Sequence, residues 1–167
     1  MGPAFAAVGA GVAALLETTI ASRYQFAGAQ LQISLVLAIV VTLVYGFEDG
    51  MAWAFVGGLC LDFFALRPLG STVFELLGVV ALARLAQPLL ARSRYPGCVA
   101  ATFFLTPVFL VVSDVTTGLL RPPAPPLSLT DLVVAAVTNA VVAAIAAPIF
   151  IGLKRRSEQR ERVVWWR

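Results

Sequence analysis

The chain has 167 residues, 60% of them apolar and only 13% charged, with a formal charge of +3. Ordinary soluble domains hold roughly 45 to 50% apolar and about 25% charged residues, so this composition suits lipid as solvent, and no stretch is long enough for a separate water-soluble domain. There is no histidine, which removes the commonest general base and a leading metal ligand and weakens most enzymatic readings.

A spanning helix needs about 20 mostly apolar residues. The first candidate, Pro3 to Ala21, holds one acid, Glu17, and lacks the basic lead-in of a secretory signal, so it is expected to stay as a span. Leu31 to Leu66 is too long for one helix and is broken by the polar turn Tyr45-Gly46-Phe-Glu-Asp-Gly50. Two short helices fit it, a re-entrant hairpin being the alternative. Leu69 to Leu90 follows, with Glu75 and Arg84 inside it, then two nearly uninterrupted spans, Tyr95 to Ser113 and Leu132 to Leu153. Before the last, Arg121-Pro-Pro-Ala-Pro-Pro126 predicts a stiff polyproline segment, and Ser128-Leu-Thr-Asp131 a capping box. The expected fold class is an all-α integral membrane bundle of six helices over residues 1–153, followed by a basic tail over 154–167.

Basic residues set the orientation. With six spans, nine of them (Arg84, Arg92, Arg94 and six in the tail) fall on one side and Arg23, Arg67 and Arg121 on the other. Both termini are therefore expected in the cytoplasm. The tail begins Lys154-Arg155-Arg156 and ends in two tryptophans, a pattern that predicts contact with anionic lipid or with a cytoplasmic partner. Cys60 and Cys98 have no metal-ligand spacing and read as packing residues; no metal and no cofactor is expected.

An acid at mid-bilayer costs roughly 2.5 to 3.5 kcal/mol, the return from about six apolar residues. Four segments accept it, at Glu17, Asp62, Glu75 and Asp114. In a six-span topology all four lie at the outer end, either as a polar layer reaching the headgroups or as a cluster facing a cavity or a partner. Gly46, Gly50, Ala54, Gly58 and Asp62 recur every fourth residue, which predicts a close-packed seam with Asp62 at its end. Asn139, midway along the last helix, predicts an interhelical hydrogen bond.

At Gly46-Phe-Glu-Asp-Gly50, Gly57-Gly58-Leu-Cys-Leu-Asp62 and Pro68-Leu-Gly70 the chain resembles the bacterial rod shape-determining MreD family, in which a glycine-spaced helix ends in an aspartate shortly before Pro-Leu-Gly. The last helix, from Asn139 to Pro148 before a basic end, resembles that family too; the acidic second loop and the Pro-rich loop depart from it. The resemblance implies a non-enzymatic subunit of the cell-elongation machinery in the inner membrane. Its implied partners are MreC and, indirectly, the MreB filament, RodA and a class B penicillin-binding transpeptidase. It also implies a fold similar to the substrate-binding subunits of energy-coupling-factor transporters, and an outer turn at Arg67, Pro68 and Gly70. The alternative is a small-molecule-binding transporter subunit with an outward-facing polar cavity. An intramembrane hydrolase pairing Asp62 with Asp114, like a lipoprotein signal peptidase, lacks that family's Asn-rich surroundings.

Overall fold

In the computed structural model, residues 3–21, 25–26, 29–65, 68–90, 94–120 and 128–164 are described. The Pro-rich segment, Arg23, Arg67, Arg92, Arg121 and the terminal tryptophans lie outside them. Six helices make up almost all of the fold: α1 (Pro3–Leu16), α2 (Ile33–Val44), α3 (Phe47–Phe64), α4 (Ser71–Leu90), α5 (Arg94–Leu120) and α6 (Leu129–Val164). α1 runs into a π-helical turn, Glu17–Ala21, and a small antiparallel hairpin follows, in which β1 (Gln25–Phe26) pairs with β2 (Ala29–Gln30). Three helices, over Ser71–Leu89, Arg94–Leu119 and Leu129–Gln159, are long and apolar enough to cross a membrane, as expected of a membrane protein.

The shortest helix sits at the centre. α2, Ile33-Ser-Leu-Val-Leu-Ala-Ile-Val-Val-Thr-Leu-Val44, is apolar on nearly every side, and a helix of that kind belongs in a core. It touches each of the other five, while α1 packs on α3, α3 on α4, α4 on α5 and α5 on α6 around it. Leu35, Val36, Ile39, Val40 and Val41 are fully buried at this axis. One side of α2 joins α1, α3 and α4 in the main core. Its other side, through Val36, Val40 and Val44, packs on Cys98, Ala143 and Ala147.

Small residues decide how closely the ring can approach. A Cβ on Gly58 would lie 2.7 Å from the Val73 Cα of α4, one on Gly9 would lie 2.7 Å from the Trp53 ring, and one on Gly50 would overlap the Thr42 hydroxyl of α2. The expected seam on α3 is therefore real at Gly50, Ala54 and Gly58, but it contacts α2 and α4 in turn rather than one neighbour. Gly46 does not belong to it. The break is only Tyr45-Gly46, and Gly46, at φ +127°, precedes α3 in a conformation open to glycine. Phe47 to Gly50, expected in the turn, already form the first turn of α3.

The boundary expected at 153 and 154 also falls inside one helix, because α6 continues through the basic residues to Val164. A side chain forced between α3 and α4 should cost about 1 to 3 kcal/mol. Gly58→Val is thus expected to lower the thermal unfolding midpoint in detergent by several degrees. Gly78→Ala, on a face with nothing within 4 Å of the new methyl, should not lower it. Equal midpoints for the two variants would refute the close approach.

Candidate functional site

A helix start leaves its first amides without intrahelical partners, and burying them unpaired is costly. α6 solves this locally. The Ser128 hydroxyl accepts from the Asp131 amide at 3.1 Å and the Asp131 carboxylate accepts from the Ser128 amide at 3.2 Å, which is the expected capping box. α2 and α4 begin inside the bundle and draw their acceptors from other helices.

At α4 the turn Pro68-Leu-Gly70 brings Gly70, at φ +96°, to the cap position, where it has no side chain to offer. Asp62, at the far end of α3, supplies it. Its Oδ2 accepts from the Gly70 amide at 2.7 Å, and its Oδ1 from the Thr72 amide at 3.1 Å and the Ser71 hydroxyl at 3.3 Å. The Ser71 amide donates to the Pro68 carbonyl at 3.2 Å. Asp62 is 1% exposed, so these bonds are made away from solvent, where a carboxylate at the positive end of a helix dipole is favoured.

At α2 the same task is divided. Glu17, in the π-helical turn after α1, accepts from the Ser34 amide at 2.7 Å. Asn139 of α6 accepts from the Gln32 amide at 3.2 Å, and its own amide donates to the Gln32 side-chain carbonyl at 3.3 Å and to the Thr106 hydroxyl at 3.4 Å. The interhelical bond expected of Asn139 thus joins α6 to α5 and to the start of α2.

Glu75 differs from these. It accepts from the Thr116 hydroxyl of α5 at 2.7 Å, and its buried Oε2 has no hydrogen-bond partner among the described residues. Asp114 lies on the exposed side of α5. The four acids have different surroundings: Glu17, Asp62 and Glu75 are hydrogen-bonded to other parts of the bundle, and Asp114 is exposed. Among the described residues, no three Cys, Asp or Glu side chains gather as a metal site.

At the opposite end Lys154, expected in lipid or partner contact, also has an acceptor inside the bundle. Its amino group donates to the Val44 carbonyl, the last of α2, at 2.6 Å, and it lies 3.9 Å from Glu158. Lysine there complements the negative end of the α2 dipole, so Lys154 is an internal cap, while Arg155 and Arg156 remain exposed. Beside it the Tyr45 hydroxyl donates to the Phe150 carbonyl at 3.2 Å. Burial, with a smaller contribution from the Asp49 charge, raises the Tyr45 pKa above its ordinary value. Pro148 removes an amide from α6 and so frees the Ala144 carbonyl, to which the Tyr95 hydroxyl donates at 3.4 Å. Sequence reasoning missed Tyr45 and Tyr95, whose partners are main-chain atoms of a distant helix.

No protein-family profile matches the chain, and neither a curated protein nor a solved structure matches it.

Asp62→Ala leaves the Gly70 and Thr72 amides without an acceptor, while the Ser71 hydroxyl keeps the Pro68 carbonyl at 2.9 Å, and is expected to cost about 3 kcal/mol. Asp62→Asn, which keeps one acceptor oxygen, should fall between it and the wild type in detergent unfolding; an Asp62→Ala protein as stable as wild type would remove the cap. Lys154→Met should lose up to about 2 kcal/mol through the α2 carboxyl end. Arg156→Met serves as control, and equal losses from both would show that the tail charge matters and the cap does not.

Proposed function

We propose that this protein is a non-enzymatic membrane scaffold of the MreD kind, which binds MreC and helps organise wall synthesis during cell elongation. In this reading all six helices cross the inner membrane, both termini are cytoplasmic, and α2 crosses with its ends held inside the bundle. One observation carries the proposal. The stretch that resembles the family, the glycine-spaced helix ending at Asp62 and the Pro68-Leu-Gly70 turn, acts as a single device in which the aspartate fixes the turn.

That device holds out Leu69, which is 75% exposed, and Phe63 and Phe74 are exposed beside it. An apolar shoulder at one end of the bundle, rigidly mounted, suits the membrane helix and adjoining outer segment of MreC. The carboxylates support a scaffold as well, since Asp62 and Glu17 hold backbone amides that a ligand or a reaction would have to release. The transporter alternative calls for an outward-facing polar cavity, and two of the acids offered for its lining, Glu17 and Asp62, are committed to backbone amides.

Because Asp62 is a cap, changing it alone confounds folding with binding. Leu69→Ser leaves every cap in place. With this variant, MreC is expected to co-purify at a small fraction of the wild-type yield and rod-shaped cells to become round, while the unfolding midpoint stays unchanged. Normal MreC recovery and normal shape with both Leu69→Ser and Asp62→Ala would end the proposal.

A further inference from the structure

Away from that shoulder, three hollows follow one another along the face where α5 meets α6. The first, about 240 Å³, lies between the end of α2, the end of α4 and the start of α5, and is lined by Tyr45, Gln87, Arg94 and Lys154 among others. The second, about 480 Å³, shares Arg94 with it and adds Arg155, Pro148 and Gly152. The third, about 430 Å³, shares Tyr95 and Pro96 with the second and continues between Val99, Phe103 and Phe104 of α5 and Ala140 and Ala144 of α6.

Chemistry changes along this line. The first two hollows hold the cations Arg94, Lys154 and Arg155 and are lined by no carboxylate; Lys154 is committed to the Val44 carbonyl, which leaves the two arginines. The third is apolar apart from the Tyr95 hydroxyl, which is held by the Ala144 carbonyl at the junction. From Tyr95 to Phe104 the groove follows α5 for about 14 Å. Its floor is low because Ala140 and Ala144 have the shortest side chains that still form helix well.

A cationic hollow opening into a narrow apolar groove matches an amphiphile with one negative head. We propose that this face binds one anionic phospholipid from the membrane, its phosphate between Arg94 and Arg155 and an acyl chain in the groove between Tyr95 and Phe104. Guanidinium groups suit this task, since they grip phosphate oxygens in pairs, and the second and third hollows are of the size that holds small ligands. The inference rests on the membrane location and not on the MreC reading. A partner's helix, the other kind of occupant, would leave the arginines without a negative group.

The test is native mass spectrometry of the protein in mild detergent, titrated with phosphatidylglycerol, phosphatidylcholine or glycerol phosphate. One phosphatidylglycerol is expected to bind about tenfold or more tightly than phosphatidylcholine. Arg94→Gln with Arg155→Gln should abolish the preference, and Ala140→Leu with Ala144→Leu should weaken both lipids. Equal binding of the two lipids by the wild type would overturn the proposal, and that comparison stands even if a variant fails to fold. Glycerol phosphate binding as tightly as the lipid would show an anion site without a chain. Cross-links from the groove of the wild-type protein in native membranes to another protein's helix would likewise refute a lipid occupant.

Discussion

The bundle depends on satisfying the two ends of α2. A helix of 12 residues is about 18 Å long, shorter than the other five, and both of its ends find hydrogen-bond partners on other elements of the bundle. The donors at its start meet Glu17 and Asn139, and the last carbonyl meets Lys154. An acid stands at the positive end of the dipole and a base at the negative end. Since these partners come from the π-helical turn that continues α1 and from α6, they also tie the first and last helices to the axis.

The ring around α2 follows from that central position. Five helices can surround a sixth only if some approach closely, and Gly9, Gly50 and Gly58 lie where a Cβ would collide with a neighbour. α3 shows the cost of mixing roles. With Glu48, Asp49 and Asp62 it is too acidic to resemble a span by composition, yet it packs on α1, α2 and α4. Two of its acids open the helix, where the dipole favours them, and the third closes it in order to cap the next helix.

How far the sequence revealed this depends on the range of each interaction. The capping box at Ser128 and Asp131, the break near Gly46 and the small-residue spacing of α3 are local, and a local pattern can be read without knowing the fold. The placement of Asn139 suggested a bond between helices, although not its target. Lys154 read as one more charge in a basic tail because its acceptor, Val44, is 110 residues away. Gly46 was misplaced by its spacing: it keeps the four-residue rhythm of α3 but lies outside the helix, where its backbone angle matters and its packing does not.

Asp62 was legible as an acid at the end of an apolar helix and illegible as a cap, because a carboxylate that looks costly in a membrane segment gives no sign of which amides offset the cost. The difference bears on function. A carboxylate awaiting a ligand must be reachable, whereas Asp62 is 1% exposed and each of its oxygens already accepts from a backbone amide. Its influence passes through the turn it fixes, which leaves Leu69 exposed. An acid placed at the end of an apolar helix thus shapes the backbone that begins the next helix, and does so away from solvent.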